Sequence, residues 1–169
     1  MEKTTEVRLN LACGRAYLDG YVNIDNKSMY DGQMKVDIEA DVLALDWRGN
    51  SVDEILLCHF MMYIPIEEAQ AQIKKWFGWL KKGGKLIIET GDLKAIARTI
   101  LVSSDPKIIN GTNAVMQLFG WDTTKGHKWA YCYDTLAPLL AEAGFKEIGW
   151  CYGGYHQRPE RDITITAIK

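Results

Sequence analysis

The segment that most limits what this chain can become lies near its start. It reads Arg8-Leu9-Asn10-Leu11-Ala12-Cys13-Gly14, and Tyr21-Val22-Asn23-Ile24-Asp25 follows shortly after. The first is an apolar run, Val7 to Ala12, that stops at small residues, where a backbone can turn sharply and a ligand can come close to it. The second is another short apolar run, closed by an acid. In an open parallel sheet the carboxyl ends of neighbouring strands border the ligand crevice, and a carboxylate there can accept hydrogen bonds from two vicinal ribose hydroxyls. The pair therefore points to a nucleoside-type ligand held at a strand edge.

The rest of the chain alternates strand and helix signals, which predicts a mostly parallel sheet covered by helices. Further strands are expected at Val36 to Ile38, Val52 to Cys58, Lys85 to Thr90, Phe145 to Cys151 and Asp162 to Ile168. Val52 to Cys58 reads as central and buried on both faces. Ala69, Ile73, Trp76, Phe77 and Leu80 recur at helical spacing, so Glu67 to Lys82 reads as a helix with one apolar stripe. Glu67 and Glu68 in its first turn, and Lys81 and Lys82 in its last, suit the helix dipole, and Gly83 is placed for a left-handed cap. Asp92 can cap a second helix that turns Leu93, Ile96, Ala97 and Ile100 inward. A third helix is expected from Asp134 or Thr135 to Ala143, with Pro138 near its first turn and Gly144 as its stop. Ser103 to Ala130 is rich in Gly, Asn, Asp and Thr yet holds Met116, Leu118, Phe119, Trp121 and Trp129, so a lid or acceptor-binding insert is expected near 103–130. The final strand alternates Ile163, Ile165 and Ala167 with polar residues, which fits a closing antiparallel pair. The expectation is one α/β domain over 1–169. Its fold would be Rossmann-like and three-layered, with a mostly parallel seven-stranded sheet and an antiparallel last strand.

Composition excludes several classes. A chain of 169 residues buries enough surface to need no staple. Its net charge of -2 disfavours electrostatic binding of nucleic acid. Cys13, Cys58, Cys132 and Cys151 lack the C-x-x-C spacing of a zinc site and read as reduced thiols. No run is apolar and long enough for a signal peptide or a transmembrane helix, so a cytoplasmic protein away from membranes is expected. His59, His127 and His156 are the only histidines. They stand far apart without defined acid partners, and no metal is expected. The oligomeric state stays open.

The opening segment resembles the first motif of class I S-adenosylmethionine (SAM)-dependent methyltransferases. The likeness is to a small, type 11-like subgroup reading Leu-Asn-Leu-Gly-Cys-Gly and then Val-Asn-Ile-Asp; Ala12 stands where the first glycine is usual. The match continues in order. Val36-Asp37-Ile38-Glu39-Ala40-Asp41-Val42, Leu45-Asp46-Trp47 with Ser51-Val52-Asp53-Glu54-Ile55, and Leu80-Lys81-Lys82-Gly83-Gly84 are similar to successive family segments, as are Gly126-His127-Lys128-Trp129 and Leu139 to Phe145. The resemblance implies SAM as cofactor, with Asn10, Ala12, Cys13, Gly14, Asp25, Asp41, Val42 and His59 around it. It gives Asp25 the ribose and Asp41 the adenine amino group. It also implies methyl transfer to a small-molecule or glycan-type acceptor that the sequence leaves unidentified. One departure stands out: relatives usually read His-x-Leu-Glu-His after the fourth strand, and here the chain reads His59-Phe60-Met61-Met62-Tyr63.

His59, just past the fourth strand, and His127, in the lid, are the candidate catalytic residues, because a histidine can act as a base on an acceptor hydroxyl. Trp121, Trp129, Tyr131 and Tyr133 either pack the lid or stack on a flat acceptor. Arg158 and Arg161 either face water or recognise an anion. Two other functions remain open. One is a SAM-binding partner or regulatory subunit without catalysis, motivated by Met62 and Tyr63. The other is a nicotinamide-binding oxidoreductase, which the first turn disfavours because it lacks a full G-x-G-x-x-G.

Overall fold

The structure is a computed structural model that describes residues 6–26, 34–111, 114–120 and 126–169. Seven strands form one sheet in the order β3-β2-β1-β4-β5-β7-β6. They are β1 (Arg8–Leu11), β2 (Val22–Asp25), β3 (Ile38–Glu39), β4 (Val52–Cys58), β5 (Leu80–Gly91), β6 (Lys146–Tyr152) and β7 (Asp162–Ile168). The pairings among the first five are parallel, whereas β7 runs antiparallel to both β5 and β6. The helices are α1 (Ile66–Trp79), α2 (Leu93–Val102), α3 (Pro106–Ile109), α4 (Val115–Phe119) and α5 (Tyr133–Ala143). This is the expected single Rossmann-like α/β domain with an antiparallel end.

Paired residues in adjacent strands share a face of the sheet, so the registers sort its side chains into two sets. Leu9, Ile55 and Leu86 lie on one face with Leu11, Leu57 and Ile88. They join Ile73 and Trp76 of α1 and Leu136 and Leu140 of α5 in one buried cluster. The opposite face carries Arg8, Asn10, Glu54, Lys85 and Glu89. Among the described residues, loops lie over much of this second face, and α4 meets it at Gly91. Asn10 donates to the carbonyl of Ala16 at 2.8 Å, Asn23 donates to that of Leu18, and Glu89 accepts N–H bonds from Tyr155 and His156. The sheet thus has α1 and α5 on one face and loops with α4 on the other.

Several boundaries differ from the sequence reading. Helix α1 stops at Trp79, not Lys82, because Leu80 is extended and pairs with Val52. Lys81 and Lys82 belong to β5, where Lys81 pairs with Asp53 at 2.7 Å. Gly83 has the left-handed φ of +78° expected of it, but as a bend within β5 whose N–H donates to Lys169, not as a helix cap. Strand β3 starts later than expected, and Pro138 stands inside α5. Other punctuation matches: Asp92 caps α2 by accepting from Lys94 and Ala95, and Gly144, at φ +108°, ends α5. The 103–130 segment contains α3 and α4, and Trp121 lies outside the described residues. The described cysteines are all free thiols. No helix among the described residues is long and apolar enough to cross a membrane.

Candidate functional site

Strand β1 pairs in parallel with β2 on one side and β4 on the other, so the order of connections reverses at its carboxyl end. That switch point is where open α/β sheets bind ligands. The chain leaves β1 there through a tight turn, with Ala12 at φ 52° and Gly14 at φ 54°. The Gly14 N–H donates to Asp25 Oδ2 at 2.9 Å, and the Asn26 N–H donates to Asp25 Oδ1 at 2.7 Å. Asp25 is thus fixed at the tip of β2, facing the turn, and each oxygen keeps a lone pair for a further donor.

Asn10 sits one layer below. It is buried, and it donates to Asn23 at 2.9 Å and to the Ala16 carbonyl, so it braces the turn from beneath. Cys13 is also buried, and burial, with help from Asp25, pushes its thiol up to about 11, which leaves it neutral and unreactive. Beyond β3, the Ala40 N–H donates to the Asp25 carbonyl, which holds the next residue, Asp41, close to the tip of β2. The exposed Asp41 side chain accepts from Leu43 at 2.9 Å, and Val42 turns its side chain into the core. Gly14, Asp25 and Asp41 therefore stand at the carboxyl ends of adjacent strands.

The end of β4 is more elaborate than the sequence suggested. His59 holds a left-handed φ of 52°, and its N–H donates to the Glu89 carbonyl at 2.8 Å. A non-glycine residue in that region costs free energy and is kept where its surroundings demand it. The demand is visible in its side chain: His59 Nε2 lies 3.2 Å from Asp162 Oδ2 and 3.4 Å from an Arg161 nitrogen. Its ring also meets His156 edge-on, with centroids 4.8 Å apart. His156 Nδ1 faces Glu89 Oε1 at 2.5 Å.

Glu89 and Asp162 are both fully buried. Burial raises a carboxyl, but the donors from Tyr155, His156 and Thr164 outweigh it at Glu89 and hold that group below the usual range. At Asp162, His59 and the Arg161 guanidinium do the same. Cys58, beside these acids, is pushed up to about 12 by burial and by their charge. Arg161 is itself buried and grips Asp162 at 2.5 and 2.6 Å, so it is not the solvated turn residue that one sequence reading offered. Glu89, His156, Arg161 and Asp162 were not singled out from the sequence as one group. The usable signal was Glu89 itself, a charge directly after the apolar run Leu86-Ile87-Ile88 in a strand expected to be buried, since charged residues are rarely fully buried unless paired.

On the lid, His127 Nδ1 meets the Gln117 carbonyl at 2.8 Å. A carbonyl only accepts, so Nδ1 carries the hydrogen and Nε2 is the basic nitrogen of the neutral ring. Burial lowers the pKa of His127. The ring packs edge-on against Tyr63, and the N–H groups of Lys128 and Trp129 both donate to the Met62 carbonyl. The lid is thus tied to the short turn Met61–Tyr63 that follows His59. The side chain of Met62 is buried, so the position usual for an acid presents none to the crevice. Tyr131 is a core residue and Trp129 is largely exposed.

No protein-family model and no curated protein matches the sequence. Solved structures do match the fold. A SAM-dependent methyltransferase from Archaeoglobus fulgidus superposes with a TM-score of 0.67 at 15% identity, covering 99% of this chain and 87% of the other. An S-adenosylmethionine-dependent methyltransferase from Mesorhizobium loti gives 0.65 at 14%, covering 98% and 91%. A phosphoethanolamine N-methyltransferase from Haemonchus contortus, in complex with phosphomonomethylethanolamine and S-adenosylhomocysteine, gives 0.62 at 12%; this chain spans 50% of its length. At these identities the likeness concerns architecture: the chain has the fold of the class I SAM-dependent methyltransferases.

Proposed function

We propose that this chain binds SAM at the carboxyl ends of β1 to β4 and transfers its methyl group to a small-molecule or glycan-type acceptor. One observation carries the reading. At the switch point of a methyltransferase fold, a turn with two left-handed residues presents its Gly14 N–H to Asp25, which stays able to take two ribose hydroxyls. SAM, when bound, supplies an electrophilic methyl on a sulfonium. The chain then has to bind and align. Asp25 holds the ribose, Asp41 and the Val42 backbone border the adenine, and Asn10 keeps the turn in shape while Ala12, Cys13 and Gly14 line it. His59 closes the crevice past β4. His127 Nε2 accepts a proton from the acceptor, and the lid excludes water. Much of the rate enhancement in such a displacement comes from holding the acceptor atom about 3 Å from the methyl carbon.

Calorimetric titration with S-adenosylhomocysteine, SAM and NAD tests the cofactor. Micromolar binding of the first two alone supports the reading, and NAD binding without them overturns it. Asp25→Ala should weaken S-adenosylhomocysteine by at least about tenfold, the loss of a charge-assisted hydrogen bond. Unchanged affinity in a folded variant would refute the ribose role. The buried Met62 favours a second reading, a SAM-binding partner without catalysis. Tight cofactor binding with no radiolabel transfer to cell extract would select it.

A further inference from the structure

Among the described residues, one group of side chains could hold a metal ion: His59, Glu89, His156 and Asp162, whose ligand atoms all lie within 4.8 Å of one another. We infer that this cluster is a site for a divalent transition-metal ion. Its position beside the crevice would let the ion bind an acceptor oxygen, a role that rests on the methyltransferase reading above.

Three features support a metal over a purely structural knot. First, the donors are the right kind. Two imidazoles and two carboxylates suit Zn2+, Mn2+ or Fe2+. Bonds of about 2.1 Å put neighbouring ligands about 3.4 Å apart, so the present spacing needs inward shifts only on the order of 1 Å. Second, the ligands are supported from behind. The Thr164 hydroxyl at 2.8 Å and the Tyr155 backbone N–H both donate to Glu89 Oε2, leaving Oε1 toward His156, and Arg161 Nε holds Asp162 Oδ1, while an ion at Oδ2 would displace the second Arg161 contact. Such outer bonds orient metal ligands.

Third, the charges call for a particular occupant. With both imidazoles neutral, as ligation requires, the two buried carboxylates carry -2 and the buried Arg161 carries +1, leaving -1, with the His156 ring open to solvent. A dication takes the total to +1. One anionic oxygen bound to the metal then brings it to zero. The site therefore favours a hydroxylated acceptor bound as its alkoxide or phenolate, the hydroxyl proton passing to His127 Nε2. In the transfer, the O–CH3 bond forms from an oxygen lone pair as the S–CH3 bond breaks, and the sulfur keeps that electron pair. Without an ion, each histidine–carboxylate contact is bridged by an N–H. The ion replaces that hydrogen.

The test is direct titration of the purified chain with zinc chloride and with manganese chloride, followed by calorimetry and by elemental analysis after dialysis. Binding at a 1:1 ratio is expected, weakened at least tenfold in His59→Gln and in His156→Gln but unchanged in His127→Gln. Glutamine keeps a donor toward each carboxylate, and circular dichroism checks that both variants fold. No binding at millimolar ion, or equal binding in all three variants, overturns the site. Azide added to the cobalt-loaded protein should shift the visible absorption bands; no shift overturns the anionic-oxygen part. S-adenosylhomocysteine affinity, measured on the metal-free protein, reports separately on the cofactor reading.

Discussion

Ala12 and His59 share a left-handed φ of 52°, and each borders the crevice. For Ala12 the conformation costs about 1 kcal/mol that a glycine would not lose. Ala12→Gly should therefore raise the unfolding free energy by about 1 kcal/mol in urea titrations without weakening S-adenosylhomocysteine. A destabilised variant would show that the methyl group packs against something the turn needs. His127 makes a kinetic prediction. Burial lowers its pKa, so its basic form is already dominant at neutral pH and is lost only as pH falls through a value below the ordinary 6.5. The acid limb of the rate profile should lie below that value and vanish in His127→Gln. A limb at or above it would remove His127 as the base.

At the level of elements, the lid comes close to β5 at Gly91. A Cβ added at Gly91 would meet Gln117 Cγ at 2.7 Å, and Gln117 supplies the carbonyl that holds His127. Gly91→Ala should shift α4 and lower methyl transfer several-fold while cofactor affinity stays within about twofold, the split expected of a misplaced acceptor lid. A loss of cofactor affinity instead would place Gly91 in the SAM crevice. Much of this scaffold was legible in the sequence. Asp25 closes β2, Gly14 lies in the turn just past β1 and Gly144 ends α5, all residues whose turn and cap chemistry is local. The end of α1 was not legible, because Leu80 continues the helical spacing and only its pairing with Val52, far away in sequence, makes it extended. The cluster around His59 was hidden for the same reason. Its members come from the residue after β4, from β5, from the β6–β7 connection and from β7, and no local pattern joins them.

Across the whole molecule, carboxylates tie distant segments together. Asp37 accepts from the Asn23 N–H and from Tyr17, and Asp53 from Lys81 and the Val7 N–H; these bonds hold both below the usual range, as happens at Glu89 and Asp162. A group with a depressed folded pKa contributes stability that is present above its unfolded value and lost as pH falls through its folded value. Unfolding free energy should thus decline gently below about pH 6.5, where the unfolded chain protonates His127 first, and more steeply below about pH 4, with a shallower acid drop in Asp53→Asn. An unchanged slope in that variant would mean that the Lys81 pair does not set acid stability.

The position of β7 has a consequence for biosynthesis. The latest strand in sequence lies between β5 and β6, not at a rim. Until residue 168 has been made, β5 keeps an open edge and β6 has no neighbour, so the emerging polypeptide offers unpaired backbone to any other strand nearby. The cluster around His59 shares that timing, because Asp162 is the first residue of β7. Sheet closure and completion of the cluster are therefore one late event, and premature termination would yield a sticky, ligand-poor species rather than a smaller working protein.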